Sequence, residues 1–309
     1  MSNKVVISGG DGFIGSHLAK YLSNKGYEVF ALVIPNNPAT DKIRGIKRIN
    51  IIEGDLFDLS SFENIIPINP VAFFHFAWIG VSPEQRKDIG LQMKNINITI
   101  NAIKLANSIH AKKFIFPGST FEYSYSNSII NRNTNPSPQD AYGATKISAK
   151  YYSQILCREY GIEFVYSVIS SIYSEERIDN NVITYTIKSL LKREKPSLTS
   201  LEQKWDYVHI NDVVDALEFI IRKGKKDSFY VIGHGDNCPL SEYIFKIRDL
   251  IAPELSLGIG EIPYTGNVIP MSCVDISELK RDTGFEPKVP FDEGIVNVIE
   301  KIKEMEDYK

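Results

Sequence analysis

The chain has 309 residues, of which 43% are hydrophobic and 24% are charged, and its net charge is −3. These values are ordinary for a globular protein, and the small negative charge gives no reason to expect a nucleic acid or an anionic membrane as a partner. Three widely separated cysteines predict neither a disulfide framework nor a metal site. No apolar run reaches the length of a membrane span, and the first predicted strand begins too early to leave room for a signal peptide. We therefore expect a cytoplasmic protein with reduced thiols.

Short β-branched runs alternate with longer amphipathic stretches through the first half of the chain. The predicted strands are Val5–Ser8, Glu28–Val33, Ile49–Glu53, Val71–His75, Lys113–Pro117, Glu163–Ile169 and, later, Ser228–Ile232. The predicted helices are Ile14–Asn24, Ser61–Ile65, Asn95–Ile109, Tyr142–Tyr160 and Asp212–Arg222. Alternation of this kind produces a parallel sheet that is covered on both faces. The sequence therefore predicts an α/β fold with a doubly wound, Rossmann-like parallel sheet.

The alternation stops after Ile169, where the segments become shorter and more polar. From this change we predict a dinucleotide-binding domain of residues 1–168 plus about 207–232. The remaining residues, 169–206 and 233–309, are predicted to form a smaller α+β lobe that binds the substrate.

A glycine-rich turn comes after the first predicted strand. Gly9, Gly12 and Gly15 are spaced G-x-x-G-x-x-G and lead through Phe13 and Ile14 into the first predicted helix. Glycine permits a tight turn, lets a pyrophosphate approach main-chain N–H groups, and here precedes the positive end of a helix dipole. Ordinary strand-to-helix turns are also rich in glycine, but three correctly spaced glycines at this point favour a dinucleotide site.

The choice of cofactor depends on the residues at the end of the second strand. A site for NAD usually has an acid there, but Leu32–Asn36 contains neither Asp nor Glu. The missing acid removes a repulsion against a 2′-phosphate, so the sequence favours NADPH slightly and leaves both NADP and NAD open. Lys42 and Arg44 are candidate phosphate partners. Asp55, after the third strand, either contacts the adenine or caps a turn.

Tyr142 and Lys146 are four residues apart and so share one face of a predicted helix. A nearby ammonium lowers the pKa of a phenol, which allows Tyr142 to act as a general acid or base. Tyr21 and Lys25 have the same spacing, but they lie at the far end of the first helix, away from the strand ends where this fold binds ligands. Ser119 comes after the fifth strand, where its hydroxyl either binds the reacting oxygen or caps a turn.

Together with further motifs, these patterns resemble the extended short-chain dehydrogenase/reductases of the nucleotide-sugar epimerase/dehydratase family. The motifs are residues 9–15, His75–Ala77, Gly118–Tyr123, Tyr142–Lys146, Trp205–Asp212, Asp275–Ser277 and Gly284–Pro287. The resemblance spans nearly the whole chain and implies catalysis by Ser119, Tyr142 and Lys146, a bound NAD(H) or NADP(H), and a nucleoside-diphosphate sugar held by the smaller lobe. It implies further contacts to the cofactor from Tyr142, Lys146, Asp55, Leu56, Phe76 and Ala77, and to the substrate from Thr120, Ser171 and Arg177.

Departures from the family pattern bear on the reaction. The 4,6-dehydratases of the family carry an acid two residues before the tyrosine of the fifth-strand motif, where it abstracts the C5 proton, but this chain has Phe121. Phenylalanine accepts no proton, so dehydration is not expected. Trp205 and Tyr264 stand where the resemblance places arginines for the diphosphate, which leaves Arg177 and Lys188 as candidates. For Arg177, a surface salt bridge is an equal alternative.

The leading hypothesis is a C4 oxidoreductase that reduces a nucleoside-diphosphate 4-keto-6-deoxyhexose, because residues 119–123 resemble the same stretch of deoxyhexose reductases. A 4-epimerase with tightly bound NAD uses the same residues and is the alternative. A second alternative is a non-catalytic dinucleotide sensor, against which the complete Ser–Tyr–Lys set argues. Family members often form dimers through a four-helix bundle, so we expect a homodimer through helices 95–109 and 142–160. The same apolar stripes also suit burial within one subunit.

Overall fold

The structure of the chain is a computed structural model that describes residues 3–62, 68–124, 128–263 and 273–305. Its strands are β1 (Lys4–Ser8), β2 (Glu28–Val33), β3 (Ile49–Glu53), β4 (Ala72–His75), β5 (Lys113–Ser119), β6 (Glu163–Ile169), β7 (Ser171–Tyr173), β8 (Ser197–Leu198), β9 (Lys204–Trp205), β10 (Tyr207–His209), β11 (Ser228–Ile232), β12 (Cys238–Pro239) and β13 (Gly258–Ile259). Its α-helices are α1 (Phe13–Asn24), α2 (Ile89–Ser108), α3 (Ala141–Tyr160), α4 (Val182–Leu191), α5 (Ile210–Lys223), α6 (Leu240–Ile251), α7 (Ser277–Thr283) and α8 (Phe291–Met305). Short 3-10 helices cover Pro38–Lys42, Leu59–Phe62, Gln85–Lys87 and Thr120–Tyr123.

Seven of these strands form one parallel sheet in the order β11-β6-β5-β4-β1-β2-β3. Strand β1 lies inside the sheet, and its Val6 pairs with Phe30 of β2 on one side and with Phe73 of β4 on the other. The chain winds outward from β1 first in one direction and then in the other, so the strand order reverses between β1 and β4. This arrangement confirms the predicted doubly wound sheet. In such sheets the reversal opens a crevice at the carboxyl ends of the strands, where ligands bind.

The predicted strands agree closely with the observed ones. The bounds of β2, β3, β6 and β11 are those expected, and β5 extends two residues further, to Ser119. This extension matters for the site, because Ser119 pairs with Ile169 in the parallel ladder and so has a backbone position held by the sheet. The β-branched and aromatic runs of β2 and β6 are buried on both faces, as expected inside a parallel sheet, whereas the edge strand β3 is partly exposed.

Two predicted helices differ from the structure. The prediction for Asn95–Ile109 was wrong about its beginning: α2 starts six residues earlier because Asp88 caps it, accepting a hydrogen bond from the Leu91 amide at 2.9 Å. The predicted helix Ser61–Ile65 overlaps a 3-10 helix that ends at Phe62, and residues 63–67 lie outside the described part of the chain.

The long helix α3 is bounded by a cap at each end. Asp140 accepts a hydrogen bond from the Gly143 amide at 2.8 Å and so starts the helix. Gly161, with φ of +73°, ends it in the left-handed conformation that favours glycine. The first cap sets Tyr142 in the first turn of α3 and Lys146 one turn later, which confirms that they lie on one face.

Apolar side chains fill both faces of the sheet. Under α2 and α3 the core includes Phe73, Phe114 and Ala149, and under α1 and α5 it includes Leu18 and Val213. A separate apolar cluster is built mainly from α4, α6 and α8, whose residues fall in the segments assigned to the smaller lobe. Within the described ranges, no helix has both the length and the apolar composition that spanning a membrane requires. We keep the two-lobe division as a proposal that the separate cluster supports.

Candidate active site

The glycine turn lies where β1 ends, at the point where the strand order reverses. Gly9 has φ of +70°, and a Cβ added there would lie 2.8 Å from the Ala77 amide nitrogen, so only glycine lets the turn lie against the end of β4. A Cβ added at Gly15 would lie even closer to backbone, against the Gly9 carbonyl oxygen. Gly12 is the N-cap of α1 and has no side chain to cap the helix, so the first-turn N–H groups remain available to an anion. This cradle fits the pyrophosphate of a dinucleotide.

The remaining predicted cofactor residues lie around this turn to different degrees. Phe13 and Ile14 form the first turn of α1, and Phe76 donates its amide to the Ser8 carbonyl at 3.0 Å, which brings Phe76 and Ala77 beside the turn. These four are brought together with the glycines.

Asp55 and Leu56 lie after β3, at the same end of the sheet. The Asp55 carboxylate accepts the Phe57 amide at 2.9 Å, which is the turn-capping role weighed against adenine contact. The Leu56 carbonyl accepts Nδ2 of Asn101 in α2 at 2.7 Å. Their contact with the cofactor therefore stays a prediction.

A carboxylate that the sequence analysis passed over lies at the end of β2. Asp11, between Gly10 and Gly12, is buried, and its Oδ2 accepts hydrogen bonds from Asn37 Nδ2 at 2.8 Å and Thr40 Oγ1 at 3.0 Å. The turn after β1 thus places an acid where β2 itself has none. The sequence shows an acid inside the glycine motif. It does not show the contacts of this acid with Asn37 and Thr40, because those residues are far from it along the chain.

Ser119 takes up the capping role, one of the two that the sequence left open. Its hydroxyl accepts the Phe121 amide at 3.3 Å, as the N-cap of a 3-10 helix, and it lies near enough to Tyr142 to act on the pKa of that phenol. Glu122 completes the cap from the other side, accepting the Ser119 amide at 2.6 Å. The cap fixes the position of Ser119 at the end of β5, and its catalytic role stays a prediction.

Tyr142 is enclosed by aromatic rings. The ring centroid of Trp78 lies 5.8 Å away and that of Phe121 lies 6.0 Å away, both in edge-to-face contact. Burial raises the pKa of Tyr142 to about 12, and the hydrogen bond with Ser119 and the charge of Arg86 act in the opposite direction. The hydroxyl is thus protonated at neutral pH here, in the state that a proton donor requires.

Lys146 is buried behind Tyr142. Its Nζ donates to the Pro117 carbonyl at 3.2 Å, lies 3.9 Å from the ring centroid of Trp78, and lies 5.9 Å from that of Tyr142. Burial lowers the pKa of Lys146, and the nearby Glu122 carboxylate opposes this change. The Nζ lies near the Tyr142 ring, yet burial raises the pKa of Tyr142 here, contrary to the lowering that the Tyr–Lys spacing predicted. The catalytic role of Lys146 stays a prediction.

Glu122 is a fully buried acid below this set. Its Oε1 accepts the Tyr166 hydroxyl at 2.6 Å in addition to the Ser119 amide, and its Oε2 has no hydrogen-bond partner among the described residues. Burial raises the pKa of Glu122, whereas the bond from Tyr166 and the charges of Lys146 and Lys150 lower it. Glu122 does not face the crevice in place of a dehydratase acid. It orders the backbone of Ser119.

Arg86 is a second site residue that the sequence analysis missed. It lies in the 3-10 helix after β4, donates Nε to the Val81 carbonyl at 2.8 Å, and places its guanidinium 4.3 Å from the ring centroid of Phe121 and 5.6 Å from that of Tyr142. Within the described residues it forms no ion pair with a carboxylate. Tyr142 therefore lies between two basic side chains, the buried Lys146 and the more exposed Arg86.

The predicted substrate residues occupy different surroundings. Thr120 comes directly after Ser119 in the 3-10 helix, and Ser171 accepts the indole N–H of Trp205 at 2.9 Å. Trp205 stands where the resemblance places an arginine, and it hydrogen-bonds Ser171, one of the predicted substrate residues.

Arg177 behaves differently from these. It pairs with Asp179 at 2.5 Å and lies 5.2 Å from the ring centroid of Phe13, next to the cofactor turn. The surface salt bridge weighed in the sequence analysis is therefore present, and a substrate role stays a prediction. Tyr264, the other position of an expected arginine, is outside the described residues.

Residues 5–233 match the NAD dependent epimerase/dehydratase family, so the chain belongs to that family. It is 25% identical to a putative UDP-glucose 4-epimerase of Methanocaldococcus jannaschii, covering 97% of this chain and 98% of that protein. It is 24% identical to a dTDP-4-dehydro-6-deoxyglucose reductase of Escherichia coli, covering 97% and 98%. The solved UDP-glucuronic acid 4-epimerase from Bacillus cereus, in complex with UDP-glucuronic acid and NAD, superposes with a TM-score of 0.81 at 21% identity over 98% of this chain and 99% of that one. These matches confirm the resemblance and the Rossmann-like fold.

Proposed function

We propose that the chain is a nicotinamide-dependent oxidoreductase acting at C4 of a nucleoside-diphosphate sugar. The observation that carries this proposal is the placement of Tyr142 and Lys146 against the end of β5, where Lys146 Nζ lies 5.9 Å from the Tyr142 ring centroid and 3.2 Å from the Pro117 carbonyl, at the same carboxyl edge of the sheet as the glycine turn. A proton donor fixed next to a dinucleotide cradle suits transfer of a proton and a hydride to one carbonyl.

Each residue has a defined task in this proposal. When bound, the nicotinamide ring donates or accepts the hydride at C4. Tyr142 gives its proton to the C4 oxygen during reduction and takes it back during oxidation. Ser119 donates a hydrogen bond to the same oxygen and so aligns it with the Tyr142 hydroxyl. Lys146 and Arg86 stabilise the phenolate that forms when the proton has left.

Reduction of a nucleoside-diphosphate 4-keto-6-deoxyhexose is the reaction we propose first. Phe121 occupies the position of the dehydratase acid and lies edge-to-face with Tyr142, which leaves that position without a proton acceptor. The similarity to a dTDP-4-dehydro-6-deoxyglucose reductase supports the same assignment. The substrate in the name of that reductase belongs to the class that the sequence predicts, the nucleoside-diphosphate 4-keto-6-deoxyhexoses.

A 4-epimerase is the second candidate, and Asp11 is the observation that favours it. An epimerase needs NAD that stays bound and is regenerated in each turnover. The carboxylate at the end of β2 suits NAD better than NADP, contrary to the slight preference for NADPH that the sequence suggested.

The first experiment is to identify the cofactor and then the substrate. Purified protein is denatured and the released nucleotide assayed, and the cofactor-free protein is titrated with NADPH and NADH. Nucleoside-diphosphate 4-keto-6-deoxy sugars and hexoses are then offered. Net oxidation of the reduced cofactor identifies the ketoreductase, and inversion at C4 without net oxidation identifies the epimerase. Binding of a dinucleotide with no turnover of any sugar nucleotide would contradict both and leave a sensor.

A homodimer through α2 and α3 is also proposed. The two helices pack together and present exposed apolar side chains on their outer faces: Ile89, Met93, Tyr151, Tyr152 and Ile155. Exposed apolar residues grouped on neighbouring helices favour a second copy as their partner.

Light scattering after size exclusion tests the dimer. We expect a mass twice that of the 34.9 kDa chain, and a monomer after Ile155→Glu. Leu250→Glu, which adds the same charge at an exposed apolar position of α6, should leave the dimer intact. A wild-type monomer at micromolar concentration would rule the dimer out.

A further inference from the structure

The electrostatic setting of Asp11 goes beyond a bond between two loops. The residue is 6% exposed, and the hydrogen bonds from Asn37 and Thr40 both end on one oxygen, Oδ2. These two donors lie just after β2, in the loop and the 3-10 helix that succeed it. The carboxylate therefore lies at the carboxyl end of β2, although it comes from the turn after β1.

The described residues provide no cation to balance this carboxylate. Within the described ranges, no lysine or arginine forms an ion pair with Asp11. Arg44, one of the candidates for a 2′-phosphate, instead pairs with Asp41, with Nε 2.9 Å from the carboxylate. The end of β2 thus carries a buried acid whose charge is not neutralised by these residues, and a charge in such a poorly solvated position acts over a longer range than one at the surface.

We propose that Asp11 makes the cofactor site prefer NAD(H) to NADP(H), in place of the acid that β2 lacks. The proposal rests on the proposed function only in requiring a dinucleotide at the glycine turn. In this fold the adenosine ribose lies at the end of β2, and NADP adds a doubly charged phosphate there. A fixed negative charge disfavours that phosphate and leaves the neutral 2′-hydroxyl of NAD unaffected.

The charge, and not a direct hydrogen bond to the ribose, is the source of this preference. Oδ2 is already occupied by Asn37 and Thr40, and little of the side chain is exposed. Removal of the charge should therefore improve the binding of NADPH and change the binding of NADH little. Removal of one hydrogen bond to Asp11, with its charge kept, should not change the binding of NADPH relative to that of NADH.

The test is direct binding, which needs no substrate. NADH and NADPH are titrated by fluorescence into cofactor-free wild type and Asp11→Asn, whose amide oxygen still accepts from both donors. We expect wild type to bind NADH more tightly. In the variant, the ratio of the two dissociation constants should move toward NADPH by about tenfold, the size of one charge interaction across a partly solvated site. Asp11→Ser gives a second measurement if Asp11→Asn does not fold.

Two matched controls separate charge from architecture. Glu28→Gln removes the same charge from the other end of β2, about 16 Å away along the strand. Thr40→Val removes one hydrogen bond from Asp11 and leaves its charge. The ratio should stay at the wild-type value in both.

Two results would overturn the inference while the proposed function stands: tighter binding of NADPH by wild type, or a variant at Asp11 that weakens both cofactors equally. If the wild type binds neither dinucleotide, the inference and the proposed function fail together.

Discussion

The chain contains two Tyr–Lys pairs with the same spacing, one at the end of α1 and one at the start of α3, and they have different surroundings. In the pair at the end of α1, the Tyr21 hydroxyl donates to Asp215 of α5 at 2.5 Å, and Lys25 lies 5.3 Å from the tyrosine ring centroid. Burial first, and then the bond to Asp215, raise the pKa of Tyr21 above its ordinary value. The Tyr21 proton is held in a hydrogen bond to the Asp215 carboxylate. No ligand is expected at that place in the fold.

The tyrosine of the pair in α3 has different neighbours. This tyrosine lies beside Ser119, its hydroxyl has no carboxylate hydrogen-bond partner among the described residues, and the basic groups of Lys146 and Arg86 lie near its ring. Spacing alone made the two pairs equivalent. The partner of the hydroxyl distinguishes them, because a carboxylate retains the proton whereas a neutral hydroxyl and nearby cations allow it to leave.

The largest expected effect comes from removing each tyrosine hydroxyl in turn. Tyr142→Phe should lower turnover by about a thousandfold or more, because it deletes the proton donor, and should leave dinucleotide binding nearly unchanged. Tyr21→Phe should leave turnover at the wild-type level. Its loss of a bond to Asp215 should lower the free energy of unfolding by about 1 kcal/mol, since Lys288 still pairs with that carboxylate at 2.5 Å.

Steady-state rates, dinucleotide titration and denaturant unfolding of the two variants check this contrast. If Tyr142→Phe retained turnover, α3 would not carry the proton donor. If both variants lost activity equally, the spacing would have carried more information than the surroundings.

The sequence predicted the fold well because the relevant signals are local. The hydrophobic period and the β-branched runs predicted β2, β3, β6 and β11. The glycine spacing predicted the turn at the point where the strand order reverses. The beginning of α2 was missed for a local reason too. Asp88, an N-cap residue, stood before a stretch whose apolar period is weak.

The site was only partly predictable, because its remaining parts are long-range contacts. Ser119, Tyr142 and Lys146 were found by position after strands and along a helix. Asp11 meets residues 26 and 29 positions away, and Arg86 meets Tyr142 across two elements. No sequence period reports such contacts, since they depend on how loops from different strands meet at one edge of the sheet.

A smaller effect is expected from the cation at the mouth of the site. Arg86→Met keeps an aliphatic side chain against Phe121 and removes the charge that stabilises the Tyr142 phenolate. The pKa of Tyr142 should rise further, because the charge of Arg86 lowers it in the wild type. The rate at neutral pH should fall about threefold to tenfold, because a weaker acid gives up its proton more slowly.

The sign of the pH dependence separates this role from a merely structural one. Oxidation requires the phenolate, so its rate rises with pH until the tyrosine is ionised, and Arg86→Met should move that rise to higher pH. The groups facing Tyr142 that also titrate or carry charge are Glu122, Asp140, Lys146 and Tyr166, and none of them is altered by the substitution. In Arg86→Lys, the pH dependence of the oxidation rate should lie close to that of the wild type. Lys87→Met, at the next residue, should leave this pH dependence unchanged. A uniform loss of rate with an unshifted profile would mean that Arg86 only packs against Phe121, and that the partner of the hydroxyl, not this cation, distinguishes Tyr142 from Tyr21.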